Sequence, residues 1–224
     1  MHDRTPDDLI VREIYRTILG ESTEAGRPCA IVRLTGCHRR CSYCDSAHAF
    51  EGGESLAVAR ILAAVEALGC RTVLVTGGEP LLQPGCPALL AALVGDGRRT
   101  VLETSGTRGA LPLSAVPGGV RRVVDVKTPG SGLRERDVAW DQLACLDAGD
   151  ELKFVCCDRA DYEWSRDLVR AGSRLPPATP VVFSAAEGRL SPASLADWLV
   201  EDGLDVRFQL QLHKTLWPDG ERRS

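Results

Sequence analysis

Thr72-Val73-Leu74-Val75-Thr76-Gly77-Gly78-Glu79-Pro80 passes from β-branched and apolar residues straight into a turn of two adjacent glycines and a carboxylate. A short apolar run bounded by glycine predicts a strand buried on both faces, as in a parallel sheet. The same order, strand and then unusual polar motif, recurs along the chain. Strands are predicted at residues 30–34, 72–75, 100–102, 122–125, 152–155, 181–183 and 206–212, and residues 10–18 form an extended segment at the edge. The motifs that follow them are Thr76-Gly77-Gly78-Glu79-Pro80, Glu103-Thr104-Ser105-Gly106, Asp125-Val126-Lys127, Ser184-Ala185-Ala186-Glu187 and His213-Lys214. Helical patterns lie between. In the first, Ser55 is the predicted cap, Leu56, Ile61, Leu62, Val65 and Leu68 recur at helical spacing, and Gly69 ends the run. Others are predicted at 87–94, 160–171 and 192–201, the last capped by Ser191, with a weaker helical stretch at 134–150.

Strands alternating with helices specify an α/β chain. About six parallel strands are too few for a closed eight-stranded barrel, so the expected architecture is a partial, open parallel β/α barrel. Its motifs would converge at the carboxyl ends of the strands, where barrel enzymes carry their active sites. At 224 residues the chain is read as one unit over 1–224: a tail at 1–8, an extension at 9–29, the partial barrel at 30–213 and a tail at 214–224.

Composition narrows the function. A net charge of −4 gives no electrostatic reason to bind nucleic acid or an anionic membrane, and no apolar run approaches the ~18 residues of a membrane span. The start has no basic-then-apolar leader pattern, so a cytoplasmic location is expected. Nine cysteines in such a chain favour metal or catalytic use over disulfides.

Three of the nine are clustered. Cys37, Cys41 and Cys44 follow the first barrel strand with C-x3-C-x2-C spacing. Three thiolates can hold three irons of a cubane cluster, whereas electron-transfer clusters normally use four cysteines, so one iron would keep an open position. With His48 the same residues also make a Cys3His set that suits structural zinc, giving a non-catalytic binding module as the rival. A zinc knuckle alone leaves the Gly77-Gly78 turn without explanation.

Cys37-His38-Arg39-Arg40-Cys41-Ser42-Tyr43-Cys44 together with Thr76-Gly77-Gly78-Glu79-Pro80 resembles the radical S-adenosylmethionine superfamily. That resemblance implies a [4Fe-4S] cluster on Cys37, Cys41 and Cys44, with S-adenosylmethionine chelating the open iron and yielding a 5′-deoxyadenosyl radical on reduction. It implies cofactor contacts from Tyr43, Cys44, Asp45, Gly78, Glu79, Glu103, Lys127 and Ser184.

Within the superfamily the chain is similar, over nearly its full length, to the 7-carboxy-7-deazaguanine synthases. The carriers are residues 14–22 (IYRTILGES), 26–28 (GRP), 33–37 (RLTGC), Cys44-Asp45-Ser46, Glu103-Thr104-Ser105-Gly106, Asp125-Val126-Lys127 and Gln211-Leu212-His213-Lys214. The resemblance implies a radical lyase of queuosine-type 7-deazapurine biosynthesis. It would contract 6-carboxy-5,6,7,8-tetrahydropterin to 7-carboxy-7-deazaguanine with loss of ammonia, aided by a flavodoxin- or ferredoxin-type reductant, as a homodimer.

By the same resemblance the N-terminal extension binds substrate through Ile18, Leu19, Gly20 and Glu21, with Arg33, Thr76 and His213, and Ser46 binds Mg2+. Chemistry agrees: a carboxylate suits arginine, and magnesium suits an oxygen ligand. His213 ends a polar row of Arg207, Gln209 and Gln211, read as the inward side of the last strand. Three departures mark this chain: Leu19 where relatives carry glutamine, Asp125-Val126-Lys127 where others carry Ser-Pro-Lys, and a less polar 184–187. A glycyl-radical activating enzyme shares the cysteine and glycine motifs, but acts on a protein partner and lacks the N- and C-terminal ones.

Overall fold

The computed structural model describes residues 8–217. Nine strands form one open sheet in the order β3-β1-β2-β4-β5-β6-β7-β8-β9. They are β1 (Leu9–Ile18), β2 (Pro28–Leu34), β3 (Glu54–Leu56), β4 (Thr72–Gly77), β5 (Arg99–Thr104), β6 (Val120–Asp125), β7 (Glu151–Cys156), β8 (Val181–Ala185) and β9 (Arg207–Phe208). From β2 onward every neighbour is parallel. The helices are α1 (Val58–Ala67), α2 (Cys86–Gly95), α3 (Trp140–Leu143), α4 (Arg159–Ala171), α5 (Pro192–Asp202) and α6 (Leu212–Leu216).

Strand alternation divides the apolar residues in two. Ala30, Val32, Val73, Val75, Leu102, Val124, Leu152, Phe154 and Phe183 pack outward against helix residues such as Ile61, Leu89 and Tyr162. The other face supplies a small inner layer of Leu19, Cys29, Ile31, Leu74, Val101 and Val123. Polar side chains take over one register step nearer the carboxyl ends: Arg33 stands beside Thr76, and Asp125 beside Lys153. A dry floor with a charged rim is the result.

Several sequence expectations are corrected. The 10–18 segment is not the outermost strand, because β3 pairs outside it through Ile10 and Ser55. That pairing commits Ser55 to the sheet, so Ala57 and not Ser55 precedes α1, without a side-chain cap. Gly69 does end the helix, at φ +67°. Ser191 precedes α5, but its hydroxyl makes no capping bond. In α4 the cap is real: Asp158 accepts from the Asp161 amide at 2.9 Å.

The largest departure is the last predicted strand. Only Arg207 and Phe208 pair with β8; the chain then leaves the sheet and coils into α6. Phe208 and Leu210, on the apolar side of the predicted strand, are 38% and 40% exposed. Gln209 and Gln211 draw the chain aside by bonding Ser22 and Glu21. His213 and Lys214 consequently belong to a helix, not to a strand end or tail; residues 1–7 and 218–224 of the expected tails lie outside the described residues.

Candidate active site

The β2–β3 connection carries the three cysteines over the carboxyl end of the sheet. Its start is pinned to β4 by the glycine pair: the Gly78 amide donates to Leu34 O at 3.2 Å and the Glu79 amide to Gly36 O at 2.8 Å. A Cβ on Gly78 would stand 2.3 Å from Gly36 O and 2.7 Å from Cys37 Cβ, so only glycine permits this approach. Further on, the Ser42 amide and hydroxyl donate to Ser131 O and Gly130 O, and Arg189 donates to Ser42 O. Loops after β4, β6 and β8 therefore hold one cysteine loop.

Beneath it lies a cavity of about 600 Å³. Cys37, Cys41, Cys44, Tyr43, Asp45, Ser46, Gly78, Glu103 and Lys127 line it together with Ile18, Leu19, Gly20, Glu21, Arg33, Thr76 and His213. Thus all the sequence-derived site residues except Glu79 and Ser184 reach it. Glu79 is fully buried, its carboxylate accepting from the amides of Leu81 (3.0 Å) and Ser105 (2.7 Å) and from Thr104 Oγ1 (2.8 Å). Its side chain ties β4 to β5. Ser184 is 2% exposed with no protein partner for its hydroxyl, next to the cavity-lining Val155 across the β7–β8 ladder.

Charged groups dominate the rim. Lys153 Nζ lies 2.5 Å from Glu21 Oε2 and 3.2 Å from Asp125 Oδ1, and Lys127 Nζ lies 2.6 Å from Asp125 Oδ2. Burial works against both ammonium groups, but the adjacent carboxylates outweigh it and hold them protonated well above the usual lysine range. Asp125 is held low by the same two lysines against its own burial. Glu103 differs: burial, reinforced by Glu21 and Asp125 and opposed by Lys153, pushes it up to about 7. Its Oε2 accepts from Thr76 Oγ1 at 3.3 Å. Burial also lowers His213, which favours the neutral ring.

Arg33 is oriented by Glu13, which its Nε meets at 2.7 Å; its terminal nitrogens make only long 3.3 Å bonds, to Ser46 Oγ and Tyr15 OH. Ser46 donates to Asp45 Oδ1 at 3.0 Å. Asp45 is also 3.3 Å from Lys214, and its carboxyl sits at about 2 because Lys214 and Lys153 overcome its burial. Leu19 buries its side chain in the inner layer, and its amide and carbonyl bond Arg27 O (2.8 Å) and the Gly26 amide (2.9 Å). The Leu19 amide is therefore committed within the turn, whereas its carbonyl keeps a second lone pair.

The donor set can be tested against the groups the sequence suggests. Cys37, Cys41 and Cys44 are free thiols and are the only cysteines lining the cavity among the described residues. No trio of His, Cys, Asp or Glu among the described residues is close enough for a single ion. His48, the fourth ligand of a zinc site, instead bonds Glu13 at 3.3 Å. Three thiolates with no fourth protein ligand fit a cluster that shares them among three irons. Adjacent oxygens of Asp45 and Ser46 fit magnesium in kind, although Arg33 and Lys214 contact them here.

Comparison with known proteins agrees with this chemistry. A family model for the radical SAM superfamily matches residues 31–125. The 7-carboxy-7-deazaguanine synthase of Koribacter versatilis is 40% identical over 92% of this chain and 96% of its own. The chain belongs to the 7-carboxy-7-deazaguanine synthase family. The synthase of Chlorobaculum tepidum is likewise 40% identical, over 96% of this chain and 97% of its own. In fold the chain is similar to the crystal structure of QueE from Escherichia coli, with TM-score 0.72 at 20% identity over 91% and 94% of the two chains.

The cavity also contains polar and charged residues that were given no part in the site. Lys153, outside every motif, lines it, as do Asp125, Gln211 and Lys214, which the motifs contain but to which the sequence assigned no role in the site. Lys153 had a signal: Glu151 and Lys153 stand two apart in an otherwise apolar buried strand, and charges on one face of such a strand need partners inside.

Proposed function

We propose that this chain is a 7-carboxy-7-deazaguanine synthase, converting 6-carboxy-5,6,7,8-tetrahydropterin to 7-carboxy-7-deazaguanine with loss of ammonia. The observation that carries the reading is one cavity joining the cysteine loop to the meeting point of Gly20, Glu21 and His213. Cys37, Cys41 and Cys44 would hold the [4Fe-4S] cluster. Tyr43, Cys44, Asp45, Gly78, Glu103 and Lys127 would hold S-adenosylmethionine, joined by the Ser184 hydroxyl, while Glu79 would hold the turn that presents Gly78. When bound, that pair supplies hydrogen-atom abstraction.

The chain's own residues do the rest. The terminal nitrogens of Arg33 are aimed by Glu13 and weakly engaged, so they are the ends a substrate carboxylate would take. Glu21, fixed by Lys153, offers an acceptor to a pterin edge, and Thr76 and neutral His213 border the same space. Glu103, near neutrality, can keep or release a proton at Oε2. Ser46, beside Asp45, would be the oxygen ligand for Mg2+. Radical SAM enzymes need a reductant, and a flavodoxin- or ferredoxin-type protein fits that need. A homodimer is part of the reading, supported by the exposed Phe208, Leu210 and Leu216 on and after the edge strand. No helix among the described residues is long and apolar enough to cross a membrane.

The test is anaerobic incubation of cluster-reconstituted protein with dithionite, S-adenosylmethionine, Mg2+ and the pterin, followed by mass spectrometry. Product formation that is lost in Cys41→Ala is the expected result. Cofactor cleavage without this product would remove the substrate assignment, and an intact cluster giving neither would remove both.

A further inference from the structure

The β1–β2 connection, residues 19–27, reaches across the open side of the sheet. At its centre Ser22 is the single non-glycine residue with positive φ among the described residues, at +75°, and it is 1% exposed. Its partner is Gln209, which follows β9 at the far end of the sheet order. Gln209 Oε1 accepts from the Ser22 amide at 2.7 Å, and Gln209 Nε2 donates to Ser22 O at 2.7 Å. One side-chain amide thus satisfies both backbone groups of the strained residue, as a paired strand would. Gln209 is itself held by its own amide, which donates to Phe183 O of β8 at 2.9 Å.

The residues on either side of Ser22 make diverging contacts. Glu21 meets Lys153, while the Thr23 amide and hydroxyl meet Glu151, two residues earlier on the same face of β7. The left-handed turn at Ser22 is what lets consecutive residues reach the two. Gly20 O accepts from the Leu212 amide at 3.0 Å, and a Cβ on Gly20 would lie 2.1 Å from His213 Nδ1. The Gly20-Glu21 segment is therefore seated on residues 211–213, with Gln209 fixing the turn beyond it.

We propose that Gln209 is a positioning residue for substrate binding: its side-chain amide holds Ser22 in the left-handed conformation and so presents Gly20 and Glu21 to the cavity. This rests on the reading that 18–21 contacts the pterin. Gln209 does not line the cavity, so its effect is on the geometry of the binding segment and not on the reacting atoms. Losing the clamp exposes the left-handed penalty of a non-glycine residue, about five- to thirtyfold in the population of the bound geometry.

The experiment compares wild type, Gln209→Ala and the double variant Gln209→Ala with Ser22→Gly, each with a reconstituted cluster. KM is measured for 6-carboxy-5,6,7,8-tetrahydropterin and for S-adenosylmethionine, together with hydrogen exchange of the 19–27 amides in cluster-loaded protein without substrate. Gln209→Ala is expected to raise the pterin KM about tenfold, within that range, with kcat and the S-adenosylmethionine KM within twofold. Exchange at Ser22 rises, and Ser22→Gly recovers most of the pterin KM because glycine adopts positive φ freely. An unchanged pterin KM, a loss confined to kcat, a matching rise in both KM values or no rescue by glycine would overturn the proposal. A wild-type chain that leaves the pterin unconverted would defeat the functional reading instead; the clamp would then stand or fall on the exchange at Ser22.

Discussion

Replacing Lys153 by methionine keeps most of the stem and deletes the cation that Glu21 and Asp125 share. Lys153 is 7% exposed and its ammonium lies 2.5 Å and 3.2 Å from the two carboxylates. Lys127 still neutralises Asp125, so Glu21 is the group left without a cation. Removing one partner of a buried pair typically costs about 3–5 kcal/mol. A ceiling comes from protonation, because an orphaned carboxylate can take up a proton instead of remaining charged. From an ordinary glutamate value of about 4.3, that costs about 4 kcal/mol at pH 7 and about 1 kcal/mol at pH 5. The sign follows: uptake of a proton by a buried, unpaired carboxylate is less costly at low pH, so the deficit is smaller at pH 5 than at pH 7. Anaerobic urea unfolding of wild type and Lys153→Met at the two pH values checks this. The deficit should shrink by about 3 kcal/mol from pH 7 to pH 5. An equal deficit at both would mean that Glu21 stays charged without Lys153, refuting the account of this network.

Three further outcomes are expected. Gly78→Ala should cut bound iron and acid-labile sulfide about tenfold with an unchanged far-ultraviolet spectrum, since overpacking of about 1–3 kcal/mol falls where Gly78 meets Gly36 and Cys37. Glu79→Ala leaves three buried donors unpaired and should cost at least ~3 kcal/mol in urea unfolding, with Glu79→Gln costing less. Glu103 sits at about 7 against an ordinary 4.5, so its contribution to stability is full below the lower value and falls as pH rises to the higher. The Tm of Glu103→Gln relative to wild type should accordingly climb between these two values and level off above, and a flat difference would show that cavity water keeps Glu103 ionised.

Local chemistry made much of the fold and site readable. Two adjacent glycines after a buried strand have few uses other than close backbone approach, and the Gly78 contact with the cysteine loop is that use. Glu79 shows the limit: the motif names it, but whether its carboxylate faces the cofactor or caps the amides of Leu81 and Ser105 depends on where β5 ends, 25 residues on. Alternation through 206–213 read as a long strand, because apolar residues at every second position resemble one whether or not a neighbour is there to pair. The chain leaves the sheet after Phe208, since its glutamines bond residues 187 and 190 positions away.

From the residues alone came the alternation that makes a parallel α/β sheet, the cysteine spacing, and the family-specific motifs at strand ends. These depend on neighbours a few residues apart, whose geometry the backbone dictates. Only the tertiary structure decided how the open side of the sheet is spanned, which charges share the cavity and which motif carboxylate is structural. Each of those depends on partners brought together across the sheet, as Lys153 is with Glu21 and Gln209 with Ser22. Burial then sets the outcome, because a charged or polar group removed from water takes whichever partner the fold provides.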